Sequence, residues 1–456
     1  MSNTDWSEPF KRLYRQRWRI WIVAVLAHTI GTFHRAAMAP IADLVMADLE
    51  LTAVAFGSLG AVYFYTYAAM QVPSGTLADT LGPRKTVAAG LLLSALGSLV
   101  MSTAHSFSVM FLGRLLISFG ASVPALSALK LLMGWFRPRE MATMTGLTVS
   151  LASLGQIAGA TPLALLVIWI GWRMSFTAMA GISLVMAAVT WFIVRDSPAH
   201  VGLPSVGELD HQTVLPDVAG HHSPHLSLAQ RLAAVFTDRR LWPLFLVGFG
   251  TYGAYATLFH NWMVIYLMQT YDVQRDFAAN FVLIAAIGMI VGAPAVGFLS
   301  DRLLQRRLPM ALFASFSLAS FLILALWNGA RPPLAAVYPL CFLVGLGCGA
   351  PPVAIASVRD TVQPAVRGIA SGLVNSGGFV GAAIAQPLFG HLLDLKWTGE
   401  MIRGTRIYPL EAFQQGFLLC CVVAALGFVA TLLVTEPGHP DIHSSPPIGR
   451  SLRTAK

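Results

Sequence analysis

Apolar residues in this chain run in long blocks separated by short polar intervals. Twelve such blocks cover about 19–42, 54–78, 86–104, 107–133, 141–168, 172–194, 241–268, 277–299, 308–328, 334–358, 366–392 and 412–434. Each approaches or exceeds the roughly 20 residues that carry a helix across hydrocarbon. A helix satisfies its own backbone in lipid, so the pattern predicts an all-α integral membrane protein with twelve transmembrane helices. Lys11, Arg12, Arg15, Arg17 and Arg19 precede the first block like the basic region of a signal peptide. That block is too long, lacks a clear small-residue cleavage site and is followed by many more spans, so it is expected to stay as a helix.

The blocks divide into two sets of six. The predicted organisation is an N-terminal tail over 1–18, a six-helix domain over 19–194, a linker over 195–240, a second six-helix domain over 241–434 and a C-terminal tail over 435–456. The linker carries His200, His211, His221, His222 and His225. Its prolines and polar residues favour a flexible connection over metal capture. A short surface helix is expected near Ser227–Asp238.

Composition narrows the class. Hydrophobic residues make up 56% of the 456 and charged residues only 11%, against roughly 25% charged in an ordinary soluble domain. A soluble enzyme of this size would lack polar surface. The net charge of +9 suits basic loops held on one face of a membrane, without nucleic acid. The four cysteines, at 341, 348, 420 and 421, form no CxxC and sit in apolar stretches, which argues against a disulfide scaffold or a metal site. No Walker sequence occurs, and Gly345, Gly347 and Gly349 lie in an apolar helix, so neither a nucleotide nor another cofactor is expected. An even number of spans puts both termini on one side. Most basic residues, among them the N-terminal run, Arg84, Lys85, Arg137, Arg139, Arg306, Arg307 and the tail, fall on that side. The expected location is therefore a plasma membrane, of the bacterial inner-membrane kind, with both termini cytoplasmic.

One motif repeats. Gly75, Asp79, Gly82, Arg84 and Lys85 follow the second block, and Gly297, Asp301, Arg302, Arg306 and Arg307 follow the eighth. In each copy an aspartate precedes an arginine by five positions, which points to duplication. The glycines are expected to let helix ends approach. The aspartates are expected to reach a neighbouring helix end or a basic side chain and to act as a breakable latch.

Charges inside the blocks indicate chemistry. Arg35 lies deep in the first, where a cation is costly unless it faces water, a carboxylate or a solute. Its planar fork matches a carboxylate or phosphate, so Arg35 is the principal candidate anion ligand. Lys130, nearer the cytoplasmic mouth of the fourth block, is a second candidate, with snorkelling to headgroups as the competing explanation. All 21 acidic residues fall in tails, loops or helix ends, so the cavity is expected to be electropositive and to favour anions. His34 can titrate in a useful range and is the candidate for proton coupling. Tyr63 and Tyr67 share a helical face, and Tyr255 and Asn261 lie in the seventh block; with Gln156 and Asn375 they complete the substrate-binding candidates, each competing with ordinary helix-to-helix hydrogen bonding. Gly155 and Gly159, followed by Pro162, predict a close helix contact, as do the glycines around Gly372–Gly381.

The two motif copies resemble the signature loops of the major facilitator superfamily, and the resemblance spans about 19–434. Thr80 and Leu304 depart from the usual pattern. Membership implies two six-helix domains around a central cavity, alternating access, a small solute and no enzymatic chemistry. A narrower resemblance, over Thr32–Ile41 and Trp135–Glu140, is to the anion:cation symporters, which carry sugar acids and related carboxylates. There an aspartate usually precedes the arginine and an acid sits in the fourth span. This chain has His34, and Ala121 and Ser122, at those places, and so departs from the usual carboxylate proton route. The superfamily often has an arginine early in the fourth span linked to coupling, which nominates Arg114. The expected function is secondary active transport of a small organic anion, a carboxylate or sugar acid, with protons as a candidate coupling ion and a single chain sufficient. A multidrug or siderophore-related exporter of the same fold, and a non-transporting membrane sensor or scaffold, are the alternatives.

Overall fold

The computed structural model describes residues 8–137, 140–203, 228–363, 366–402 and 404–436. Almost every described residue outside the turns is helical. The amino-terminal set comprises α1 (Glu8–Ala36), α2 (Ala42–Asp48), α3 (Ala53–Ala69), α4 (Gln71–Leu81), α5 (Pro83–Ser102), α6 (Phe107–Ala121), α7 (Pro124–Trp135), α8 (Met141–Ala152), α9 (Leu154–Ala158) and α10 (Thr161–Ile193). The surface helix α11 (Leu228–Thr237) comes next, where one was expected. The carboxy-terminal set comprises α12 (Leu241–Thr257), α13 (Met263–Tyr271), α14 (Arg275–Leu303), α15 (Arg307–Leu326), α16 (Leu334–Gly347), α17 (Ala350–Thr361), α18 (Arg367–Leu395) and α19 (Leu410–Leu433). A two-residue hairpin, β1 (Met401–Ile402) with β2 (Thr405–Arg406), joins α18 to α19.

Among the described residues, eight helical runs are long and apolar enough to cross a membrane, and ten if each of two bent pairs counts as one span. The chain is an all-α integral membrane protein. The bends follow local sequence. α1 breaks before Pro40 and turns by 45° into α2. Between α8 and α10 the run Thr143–Ile193 spans 51 residues, but Gly171 sits inside it at φ 75°, a backbone region that favours glycine. Between α12 and α13, Leu258–Trp262 forms a π turn, a form common at functional sites. α1 starts well before position 19 because Leu13 and Ile20 pack under it against Trp135 and Phe136.

The two sets share one apolar cluster, and each keeps others of its own. One apolar cluster takes residues from both, including Val45, Phe56, Tyr63, Phe259, Trp262, Phe389 and Phe417. The remaining clusters stay within a set, around Leu13, Trp135 and Val194 or around Leu241, Val296 and Val358. Ionic contacts also bridge the sets. Arg275 pairs with both Asp43 oxygens, Nη2 to Oδ2 at 2.6 Å, and donates to the Pro40 carbonyl at 2.6 Å. Asp394 accepts from the Ala53 and Val54 amides, at 3.0 and 2.8 Å, and so caps α3 from the other set. Gly57 meets the backbone of Gln386 and Pro387, and Gly390 meets that of Ala53, so side chains there would force α3 and α18 apart.

The expected contact at Gly155 and Gly159 is present: Gly155 lies on the Thr29 carbonyl and Gly159 on that of Phe33. The motif glycines behave otherwise. An added Cβ at Gly75 would meet only Leu126 at 3.9 Å, and at Gly297 nothing within 4 Å. The expectation of a close approach at these two glycines is corrected: no neighbouring helix backbone comes within reach of either. Gly82 instead provides a positive φ of 84°, pressed on the Asp196 carboxylate.

Candidate functional site

A cavity of about 610 Å³ opens between the two sets, within the range typical of small-molecule sites. It is lined from α1 by His28, Thr32 and Arg35, from α3 by Tyr67, from α8 and α9 by Thr145, Ser153 and Gln156, from α12 by Gly248 and Tyr252, from α14 by Met289 and Pro294, and from α18 by Asn375 and Phe379. Cys348, Pro351 and Pro352 line it where α16 gives way to α17. The lining is mostly apolar, and no acidic residue belongs to it.

Arg35 ends α1, where the helix gives way before Pro40. The residue is only 9% exposed. Nη1 donates to the Tyr252 hydroxyl at 3.3 Å, across the two sets, while Nε is buried without a partner. Three rings surround it: Tyr67 at 4.9 Å, Phe379 at 5.6 Å and Tyr63 at 5.9 Å from the guanidinium carbon. Among the described residues no carboxylate pairs with it. Aromatic faces contribute about 0.5–2 kcal/mol each, while an ion out of water costs several kcal/mol even after relaxation. The cavity thus presents an incompletely compensated cation.

The other candidates divide. Tyr67, Gln156 and Asn375 share the cavity with Arg35. Gln156 Oε1 is buried and unpartnered, and Asn375 donates across the sets to Gln71 at 3.3 Å. Tyr63 lies behind the wall, its hydroxyl on the Gly31 carbonyl at 2.8 Å and its ring 4.8 Å from the Arg114 guanidinium. Tyr255 is enclosed against Phe259, with ring centroids 5.1 Å apart. Asn261, on the π turn, is enclosed with both amide atoms unpartnered, next to Gly60 and Gln386. Lys130 is outside the lining: it bonds Asp79 at 2.7 Å and the Ala78 carbonyl at 2.8 Å. Arg114 is fully buried and donates to the His34 carbonyl at 2.7 Å. His34 itself is enclosed between Phe33 and Phe176, off the cavity, with neither ring nitrogen partnered.

Each motif copy is tied to the end of the last helix of its set. The Arg84 amide donates to Asp196 at 2.7 Å, and Arg84 Nε to the Trp191 carbonyl at 2.8 Å. In the second copy the Arg306 and Arg307 amides donate to Glu436 at 3.1 and 2.7 Å, and Arg306 pairs with Asp301 at 3.1 Å. Arg302 is exposed. His28, Thr32, Tyr252 and Phe379 are lining residues that the sequence reading did not select. The signal for His28 was its position seven residues, two helical turns, before Arg35.

A bundle of apolar helices around a cationic cavity, without clustered metal ligands among the described residues, is the architecture of a membrane carrier. The Major Facilitator Superfamily model matches residues 20–351 and 261–456, and the chain belongs to that family, whose members are transporters and not enzymes. It is 24% identical over 441 residues to a probable sulfoacetate transporter of Cupriavidus necator, covering 94% of this chain and 97% of the relative. It is 23% identical over 447 residues to a probable L-galactonate transporter of Escherichia coli, covering 93% and 91%. Among solved structures it is similar to a D-xylose-proton symporter, with a TM-score of 0.68 at 12% identity over 92% of this chain and 98% of that one.

Proposed function

We propose that this chain is a secondary transporter that moves a small organic anion, a carboxylate or sulfonate of the sugar-acid kind, by alternating access. Its helices serve as twelve spans in two six-helix halves, 19–194 and 241–434, with 195–240 as the linker and both termini on the cytoplasmic side of a bacterial inner membrane. One chain is sufficient for function. In this reading the break at Gly171 separates the fifth and sixth spans, and Leu241–Tyr271 is the seventh. The cavity then opens to the cytoplasm, and the Asp43–Arg275 pair closes the outer end.

The observation that carries the reading is Arg35, enclosed between the halves and facing a cavity with no carboxylate in its lining. An anion with a planar oxygen pair would complete its hydrogen bonding. Tyr252 and Tyr67 would hold the guanidinium in place, while Gln156 and Asn375 would meet polar groups on the solute. The relatives named for sulfoacetate and L-galactonate carry small anions by those names, which supports the same class here.

The test is flux into liposomes holding the purified protein, with labelled carboxylates, sulfonates, phosphates and neutral sugars. Organic anions are expected to be selected. Arg35→Ala should raise the KM for the preferred anion by roughly 10- to 150-fold, the equivalent of about 1.5–3 kcal/mol for hydrogen bonds to a charged group. Arg35→Lys, which keeps the charge but loses the fork, should fall between. Anion selectivity that persists unaltered in Arg35→Ala would refute the assignment.

A further inference from the structure

His28 is the titratable group whose position the anion reading leaves unused. It lies on α1 two turns before Arg35, a spacing that puts both on one face, and both line the cavity. Its Nδ1 is buried without a hydrogen-bond partner. Other titratable groups in the lining are Arg35, Tyr67 on α3, Tyr252 on α12 and Cys348 after α16; none is a carboxylate. The elements packed on α1 offer little more. From α6, Arg114 is held on the His34 carbonyl. From α7, Lys130 is held on Asp79. Glu140, before α8, is held on Arg17, and Arg173 in α10 on Asp48. The π turn contributes His260, enclosed among Phe64, Tyr252 and Tyr255.

We propose that His28 is the proton site of this transporter, and that the transported anion itself switches it on. The inference rests on the anion reading above. In the empty cavity Arg35 supplies a positive charge that opposes a second one on the same helix face. An anion seated on Arg35 removes that opposition. The imidazole then takes a proton from cavity water, carries it as imidazolium beside the anion, and returns it to water on the far side when the anion leaves. The empty carrier goes back with His28 neutral. Linkage makes the effect reciprocal: the anion strengthens proton binding by the factor by which the proton strengthens anion binding. Anion affinity therefore rises as pH falls. No acidic side chain is needed, which accounts for transport coupling in a cavity whose lining contains none. His34, the other histidine of α1, is not in the cavity lining, whereas His28 is.

The experiment uses the full chain in liposomes with labelled L-galactonate, a univalent sugar acid, as the probe. At one proton per univalent anion, a one-unit inward pH gradient supports accumulation of up to about tenfold. Wild type and His34→Gln are expected to approach that ratio. His28→Gln is expected to exchange labelled for unlabelled anion, at reduced affinity, but to accumulate none. A second readout is proton uptake on anion binding in detergent, followed with a pH dye. Wild type should take up close to one proton per anion and His28→Gln none, which separates loss of coupling from loss of folding. Full accumulation or full proton uptake in His28→Gln overturns the proposal, as does wild-type anion flux that ignores the pH gradient; the anion reading survives either result. Failure of wild type to bind or move any organic anion in the wider panel defeats the anion reading, and this inference with it.

Discussion

The Asp43–Arg275 pair offers the sharpest test of how the two sets of helices are held together. It joins the segment after α1 to the first turn of α14, with both side chains only 11–13% exposed. Both Asp43 oxygens and the Pro40 carbonyl are engaged. In an alternating-access cycle this contact must part and its groups must hydrate. Removing one partner of a buried pair costs about 3–5 kcal/mol. Asparagine keeps a hydrogen bond to the guanidinium, so Asp43→Asn should destabilise the closed outer end by about 2–3 kcal/mol. The open form, where the groups are already wet, should be little affected. The ratio of open to closed should then rise roughly 30- to 150-fold. Phe56, fully buried on α3 with its ring centroid 5.6 Å from that of Trp262 in the other set, can report it. With Cys341, Cys348, Cys420 and Cys421 replaced by serine or alanine, Phe56→Cys should react slowly with an impermeant maleimide from outside. Adding Asp43→Asn should speed labelling by that factor, and the charge-swapped pair Asp43→Arg with Arg275→Asp should restore much of the slow rate. Labelling that is unchanged by Asp43→Asn, or a swapped pair no slower than the single variants, would refute the reasoning.

Two further perturbations follow from the geometry. Gly60→Ala would set a methyl group on Asn261 Nδ2 and Gln386 Oε1; overpacking of this kind costs about 1–3 kcal/mol, so the same maleimide assay should show the outer seam opening roughly 5- to 150-fold more often. At the opposite end, Asp79 is 74% exposed in its pair with Lys130, and an exposed pair contributes about 0–1 kcal/mol. Asp79→Asn should therefore leave the melting temperature within a few degrees of wild type, and a larger fall in a thermal unfolding scan would contradict a solvated latch.

Much of the fold was legible because lipid imposes a single rule. Apolar blocks long enough to span had to be helices, and their predicted ends at 277–299, 308–328 and 366–392 lie within a few residues of α14, α15 and α18. The first helix extends further towards the N-terminus than its apolar block, where Arg12, Arg15 and Arg17 look like a polar flank. Within the helix their neighbours Leu13 and Ile20 face the core, while Arg17 reaches Glu140. The π turn at Leu258–Trp262 was invisible, since it differs from an α-helix by one residue of register and not by composition. In the cavity, Arg35 stood out because an arginine in an apolar block has few explanations. His28 did not, since histidine is tolerated in many helical settings and only its face relative to Arg35 marks it. Lys130 was equally ambiguous from sequence; its partner Asp79 is 51 residues away and comes near only through the packing of α4 on α7. The cross-set contacts of Asp43 and Asp394 join positions more than 200 residues apart, and nothing local encodes them.

The glycines of the carboxy-terminal set have a mechanical consequence. Gly250 rests on Gly427, Gly377 on the Phe245 carbonyl and Gly381 on the Phe249 carbonyl, so α12, α18 and α19 meet backbone to backbone. No rotamer at those crossings can give way. A push delivered to Tyr252 by a solute is passed along as displacement of the whole group, which therefore acts as a stiff lever. Compliance has to come from elsewhere, at the proline-bearing breaks such as Pro351 and Pro352.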